Sequence, residues 1–437
     1  MNLVEVRPNA PPSPHRAARS TVKRIALKLV LSLASLVLTA LILDGLLIAT
    51  GLLAPNYRVG DAVLGFAPSR ATEPGGDRSE LPELADDPVC ATFHVNSAGF
   101  MSRGTMDEFL TARGPKIVAL GDSHTALEYC FDRTHMGVLE TALQQSGFPH
   151  AAVLGAGKGR YSPLQEWLLF DERLRQLPVD AVVMNFYTGN DFYDLIRTDD
   201  RPSLVADPEH GYRIVPPNFV IYLAPDDHGY RARSRMVYGS HLLLRQVGLE
   251  DAWAKFQHAR SACDAFGVPL SGSWQYMWDL SRSRDEELWY SAAVAAQALN
   301  QALFFHHFPG ALEESLSRTR FVLEQMRTAY PTHTLVLSPI PSRLLARPAE
   351  REPASERIFS RLPLDRDDAV AQELECYEAL LDLGRETGWH VLDTLPKLRE
   401  AAGDLYFDSD WHLAPAGSEV IGTAQAETLS RHPEWFD

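Results

Sequence analysis

Five short apolar runs separated by amphipathic stretches constrain this chain most. Lys116–Leu120, Ala151–Ala156, Ala181–Phe186, Thr334–Ser338 and Trp389–Leu392 have strand length and few polar residues. Thr125–Gly147, Leu164–Gln176 and Leu312–Ala329 read as helical between or beside them. Alternating β and α units predict a parallel sheet covered on both faces, a doubly wound α/β sandwich. At 437 residues the chain exceeds one average domain, but a single enlarged α/β domain accommodates it. A hydrophobic content of 45% is ordinary for a chain that builds a proper core.

The turns that follow these strands carry the chemistry. Lys116–Leu120 runs into Gly121-Asp122-Ser123-His124. A serine at a strand-to-helix turn is exposed at the carboxyl edge of the sheet, near a helix N-terminus whose N–H groups favour an anion. Tyr187-Thr188-Gly189-Asn190-Asp191 follows the third strand, where an asparagine side chain can donate to an oxyanion. Far downstream, Asp408-Ser409-Asp410-Trp411-His412-Leu413 sets two carboxylates just before a histidine. A serine hydroxyl needs a base to take its proton, and that base needs a carboxylate to fix its tautomer.

In this order the blocks resemble the SGNH (GDSL-type) hydrolase family over roughly 115–437. The resemblance implies a five-stranded flavodoxin-like sheet. It implies Ser123 as nucleophile and first oxyanion donor through its backbone N–H, Asn190 as side-chain donor, and His412 as base. The carboxylate is Asp410 or, failing that, Asp408, since many members carry Asp three residues before His, where this chain has Ser409. The second block supplies a glycine N–H. Val153-Leu154-Gly155-Ala156-Gly157-Lys158-Gly159 offers several, with Gly159 preferred and Gly157 close behind. Asn96-Ser97-Ala98-Gly99-Phe100 resembles a segment found before the first block in membrane-anchored members. Each residue also has a plainer reading: Ser123 and Asn190 as helix caps, the glycines as turn formers, and His412 as a surface histidine.

A long insertion, about 192–310, separates the third block from the fourth strand. It is rich in aromatics (Trp253, Trp274, Tyr276, Trp278, Trp289, Tyr290), and Tyr290–Phe305 has an amphipathic helical pattern. Such a helical lid offers ring faces to sugars or acyl chains, or builds a small core of its own. His306-His307 lacks carboxylate company, so no metal is expected, and no cofactor is required. His124 lines an acyl pocket or is a half-buried helix residue. Gly-Asp-Ser-His resembles the block of SGNH domains linked to sugar O-acyltransferases, and His412-Leu413 is similar to their last block.

Location is read from the N-terminus. Residues 1–24 are Pro-, Arg- and Ser-rich and read as a disordered cytoplasmic tail. Within 25–53, Ile25–Leu43 gives 19 residues, close to the roughly 20 that cross a bilayer. Lys28 can snorkel, and Asp44, costing about 2.5–3.5 kcal/mol at the centre, belongs near the far interface. Arg7, Arg16, Arg19, Lys23 and Arg24 precede the span and only Arg58 closely follows, which predicts a catalytic domain outside the cytoplasm. Residues 54–114 are a Pro- and acid-rich linker with strand-like pieces at Ala62–Phe66 and Cys90–Val95. A net charge of −16 argues against nucleic acid as partner. Cys90, Cys130, Cys263 and Cys376 have no metal-like spacing, and one disulfide is open to an exported domain. The expectation is a membrane-anchored serine esterase acting on O-acyl esters of carbohydrate. The alternatives are an O-acyltransferase modifying a polysaccharide, or a non-catalytic carbohydrate-binding protein retaining the fold.

Overall fold

The five apolar runs form one parallel sheet in the computed structural model. It describes residues 28, 32, 35, 38, 39, 59–61, 65–67, 96, 98–126, 130–196, 202–215, 301–308, 310–350, 356, 359, 360, 362–407 and 412–436. Strands β1 (Lys116–Gly121), β2 (Ala152–Gly157), β3 (Ala181–Tyr187), β4 (Thr334–Ile340) and β5 (His390–Val391) lie in the order β2-β1-β3-β4-β5. Every neighbouring pair is parallel. This is the flavodoxin-like order 2-1-3-4-5, whose switch point lies between β1 and β3.

Successive side chains of a strand point to opposite faces, so an all-apolar strand needs cover on both. Ile117, Ala119, Val153, Ala181 and Val183 cluster with Met136, Leu139 and Leu143 of α1 (His135–Gln145). The alternate residues Val118, Leu120, Leu154, Val182 and Met184 join a second layer. That layer is built from α2 (Pro163–Leu169), α3 (Ala311–Ala329) and α4 (Arg366–Glu386), through Leu164, Leu168, Val322, Leu323, Leu380 and Leu383. Helix α5 (Pro415–Ser430) returns to the first layer, where Ala426 and Leu429 meet α1.

The long helix expected over Thr125–Gly147 is shorter. Thr125 and Ala126 N–H groups close a single turn on the Asp122 carbonyl at 3.2 and 3.0 Å. Thr134 then adopts an extended backbone, φ −77° and ψ 159°, and starts α1 afresh by accepting the Gly137 N–H at 3.2 Å. A helix cannot run through an extended residue, so Ser123 does not open a long helix. Leu164–Gln176 is helical to Leu169 and continues as a π-turn over Phe170–Leu174. The piece read at Ala62–Phe66 is a hairpin of Val59–Asp61 with Gly65–Ala67, and Cys90–Val95 lies outside the described residues.

Ahead of β1, Asn96 accepts the Ala98 and Phe100 N–H groups and donates to Ser102 Oγ at 3.1 Å. Met101 then pairs with Gly155 through both backbone hydrogen bonds, at 3.0 and 2.7 Å, along the edge of β2. Of the insertion, the hairpin Ser203–Asp207 with Gly211–Val215 docks on α3 through Tyr212, whose hydroxyl donates to Ser317 Oγ at 2.9 Å. Its last described part, 301–307, is helical. The insertion's tryptophans, with Tyr276 and Tyr290, lie outside the described residues. Cys130 is disulfide-bonded, and Cys376 is a buried free thiol. Among the described residues no helix is long and apolar enough to cross a membrane, and 25–53 lies almost wholly outside them.

Candidate active site

Register brings the carboxyl ends of three strands side by side, with Gly121 opposite both Gly157 and Asn185. The turns leaving β1, β2 and β3 therefore share one edge, at the switch point where open α/β sheets form their crevice. Ser123 is at the apex of the first turn. Its neighbours Gly121, Asp122, His124 and Thr125 are all buried, and Ser123 alone of these five reaches solvent. Asp122 holds the turn by accepting the His124 backbone N–H at 2.9 Å, and Ser123 Oγ lies 3.5 Å from Asp122 Oδ2.

The candidate glycines separate by what surrounds them. A Cβ on Gly155 would lie 2.3 Å from Met136 Sδ, well inside the core. One on Gly157 would lie 2.6 Å from Thr125 Cβ and 2.8 Å from the Ala126 nitrogen, under the turn that carries Ser123. One on Gly159 would meet only Ser123 Cβ, at 3.8 Å. Gly157 is thus required by packing against backbone, a Cβ on Gly155 would displace the tip of Met136, and Gly159 is the glycine that faces Ser123. The next residue, Arg160, has φ +71°, a left-handed conformation uncommon outside glycine, so this loop holds local strain beside the serine.

Asn190 is buried, and its Nδ2 donates to Asp194 Oδ2 at 3.2 Å. The turn that carries it is held on every side. Thr188 N–H donates to the Ile340 carbonyl at 2.9 Å, and Tyr187 N–H donates to Asp191 Oδ2 at 2.7 Å. Glu373 of α4 accepts Thr188 Oγ1 at 2.8 Å along with the N–H and hydroxyl of Ser342. Gln301, at the end of the insertion, donates to the Thr188 carbonyl at 2.6 Å and accepts the Tyr193 N–H at 3.2 Å. The motifs give no hint of Gln301 or Glu373. Both lie far from the blocks in sequence, and only the fold reveals them as supports of Asn190.

His412 is fixed by its backbone. Its carbonyl accepts the Phe407 N–H at 2.9 Å, beside a bridge between Tyr406 and Leu413. Its ring lies 4.8 Å from that of His124, centroid to centroid, at 50°. The base candidate thus meets the residue directly after Ser123. Asp410 and Asp408 lie outside the described residues.

Behind the turn lies a set of fully buried acids. Burial pushes Asp122 up to about 6, against the pull of the His124 N–H and the nearby His412. Burial also holds Glu166 and Asp191 well above the usual carboxylate range, and the neighbouring Asp122 adds to both shifts. A carboxyl raised by burial carries less negative charge at a given pH, so Glu166 and Asp191 set less charge against a developing oxyanion than free acids would. His306 and His307 have rings 5.2 Å apart, and among the described residues no group of three or more ligating side chains gathers for a metal.

No protein-family model matches the chain, and no curated protein matches it closely. Among solved structures it is similar to a lipase/acylhydrolase from Enterococcus faecalis, at 12% identity and TM-score 0.33, covering 72% of this chain and 96% of that one. A protein from Desulfitobacterium hafniense DCB-2, described as lipolytic and of the G-D-S-L family, is similar at 12% identity and TM-score 0.31, covering 72% and 97%. LAE5, an alpha/beta hydrolase enzyme from the metagenome of Lake Arreo, Spain, gives 12% identity and TM-score 0.31, covering 72% and 95%. Likenesses at such TM-scores assign no residue a role.

Proposed function

We propose that this protein is a membrane-anchored, extracytoplasmic serine esterase that removes O-acyl groups, with acylated carbohydrate as its substrate. Ser123 Oγ attacks the acyl carbonyl while His412 takes its proton, and Asp410, or Asp408 in its place, orients the imidazole. The Ser123 and Gly159 N–H groups and the Asn190 amide receive the oxyanion. The tetrahedral adduct then collapses, the alcohol leaves with the proton from His412, and water releases the acid by the same steps.

The observation that supports this reading most is the meeting of separate elements at one strand edge. Ser123, which reaches solvent while Asp122, His124 and Thr125 around it are buried, is faced by Gly159, and the His412 ring abuts the residue next to it. The apolar segment at 25–53 supports the anchor, and a disulfide at Cys130 fits an oxidising compartment.

Labelling of the full-length protein with a fluorophosphonate probe tests the mechanism. Wild type should label and Ser123→Ala should not. An unlabelled, folded wild type would favour a non-catalytic binding protein, and equal labelling of both would remove Ser123 as nucleophile. Acetate release from an acetylated sugar, with and without a polysaccharide acceptor, separates esterase from O-acyltransferase.

A further inference from the structure

On the sheet face that α1 and α5 cover, β3 and β4 set apolar residues and then one polar row. Ala181, Val183 and Val336 belong to that apolar layer. Two residues further along each strand, the same face carries Asn185 and Ser338, both buried and opposite each other in register. Gly121, the last residue of β1, stands opposite Asn185 on its other side. A Cβ on Gly121 would come 3.2 Å from the Asn185 carbonyl oxygen. The row therefore lies just before the turn bearing Ser123 and the turn bearing Asn190. Polar side chains buried in such a layer cost free energy unless each finds a partner.

Gln425 of α5 is that partner. Its Nε2 donates to Asn185 Oδ1 at 2.8 Å and to Ser338 Oγ at 2.9 Å, one hydrogen bond to each strand. Asn185 Nδ2 still has no hydrogen-bond partner among the described residues, so stability alone does not account for the row. The rest of the buried face of α5 is mostly small, with Gly417, Ser418, Gly422, Ala424 and Ala426. Apolar contact is non-directional, and a face of small side chains gives a helix few knobs that resist sliding. Two directional hydrogen bonds do resist it, since a slip of one residue, about 1.5 Å along the axis, would strain both.

The start of α5 gives this anchor a consequence. His412 precedes Pro415 by three residues, and the link between them is taut. Leu413 and Ala414 are buried, and the Ala414 N–H donates to the Leu405 carbonyl at 2.9 Å. A Cβ on Gly417, in the first turn of α5, would run into that same carbonyl oxygen. A shift of α5 is thus passed to His412 and not taken up by a loop.

We propose that Gln425 is a positioning residue: by pinning α5 to Asn185 and Ser338, it sets where His412 stands relative to Ser123 and Asn190. The inference rests on the serine esterase reading above. Gln425 touches neither substrate nor reacting atoms. It ties the helix that follows the base to the strands that lead into the nucleophile and the oxyanion donor. Proton transfer from Ser123 to His412 needs those groups in line, and a misplacement of about 1 Å can cost about a hundredfold in rate.

The test separates position from stability. Gln425→Leu removes both donated hydrogen bonds and leaves Asn185 Oδ1 without a partner. A triple variant, Gln425→Leu with Asn185→Leu and Ser338→Ala, removes every polar member, so no orphan remains. Turnover of p-nitrophenyl acetate is measured on the full-length proteins at a temperature where circular dichroism shows each to be folded, with thermal unfolding alongside. Gln425→Leu should melt below wild type and lose about tenfold or more in kcat, with KM within about twofold. The triple variant should regain much of the melting temperature and keep the low kcat. Wild-type kcat in either folded variant would overturn the proposal, because a residue that only stabilises leaves the folded enzyme at full rate. Should neither fold, Ser338→Ala decides, since it deletes one of the two bonds and little volume. A loss of about threefold or more in its kcat is then expected, and wild-type kcat would overturn the proposal. Failure of wild type itself to turn over ester or label at Ser123 would instead overturn the esterase reading.

Discussion

Gly157 and Gly159 differ by two positions in sequence, and the structure gives them opposite sensitivities to one methyl group. In Gly157→Ala the new carbon would sit 2.6 Å from Thr125 Cβ and 2.8 Å from both the Ala126 nitrogen and the Thr125 carbonyl carbon. Two of those three atoms are backbone of the turn that carries Ser123, so relief requires the turn to move. Overpacking of this kind costs about 1–3 kcal/mol. With roughly 2–4 °C of Tm per kcal/mol in a domain of this order, about 2 kcal/mol lowers Tm by about 4–8 °C. A displaced turn also displaces Ser123, so kcat should fall with it. In Gly159→Ala the new carbon makes one ordinary contact, 3.8 Å from Ser123 Cβ, and Gly159 is not among the glycines with a left-handed φ. Alanine at such a compatible site is neutral or stabilises by about 0.4–1 kcal/mol through the unfolded chain. Tm should hold or rise slightly. The methyl narrows the space beside the nucleophile, so kcat/KM should fall more for p-nitrophenyl butyrate than for the acetate. Scanning fluorimetry and ester turnover on both variants decide it. An unshifted Tm in Gly157→Ala, or a lowered Tm in Gly159→Ala, would refute the packing on which the choice of Gly159 rests.

Two further outcomes follow from buried polar groups. Gln301→Met keeps the bulk but leaves the Thr188 carbonyl and the Tyr193 N–H without their partner, at about 1–3 kcal/mol each; ester kinetics should show kcat falling with KM nearly constant, and an unchanged kcat would remove Gln301 as a support of Asn190. For pH, a raised carboxyl keeps its proton in the fold after the unfolded chain has lost it, so stability falls as pH rises. Above pH 7 the histidines held low by burial, His124 and His135, are neutral in both states, so the acids raised by burial, Glu166 and Asp191 with Glu140, Glu373 and the Cys376 thiol, set the slope. Each contributes a loss of about 1.4 kcal/mol per pH unit while it stays protonated. Tm should decline as pH rises above the range in which an unfolded carboxyl has lost its proton, less steeply in Glu166→Gln; equal slopes in the two proteins would show that burial does not raise Glu166.

The sheet was legible because β1 to β4 are buried on both faces and therefore read as nearly unbroken apolar runs, while the short edge strand β5 shows through its flanking Trp389 and Leu392. All five runs are strands, displaced by no more than two residues at an end. The helix after Ser123 was misread for a physical reason. Thr125 to Gln145 has helical composition throughout, but Thr134 serves as an extended cap, and a cap threonine inside such a stretch looks like an ordinary helical residue. The turns bearing Ser123 and Asn190 were visible as short polar breaks after apolar strands. What sequence leaves open between Gly157 and Gly159 is a matter of neighbours: both are glycine in one loop, and only the position of Thr125 tells them apart.

The supports of Asn190, the proposed oxyanion donor, were invisible for a deeper reason, and they change how the insertion is understood. A lid needs only to cover a site, and its residues would touch the substrate. Gln301 does something else, since its two hydrogen bonds go to backbone groups on either side of Asn190. Glu373 holds the same turn from α4, through the side chain of Thr188. Burial raises Glu373, and three hydrogen bonds from Ser342 and Thr188 oppose that shift, so this carboxyl serves as an acceptor hub in an otherwise apolar region. An amide that must meet a transient oxyanion gains rate only if it is already in place, because reorganisation at the moment of reaction would consume the benefit. Cutting the insertion back past Gln301 should therefore cost the Asn190 turn both of these hydrogen bonds, so the end of the insertion belongs to the structure that holds Asn190 in place.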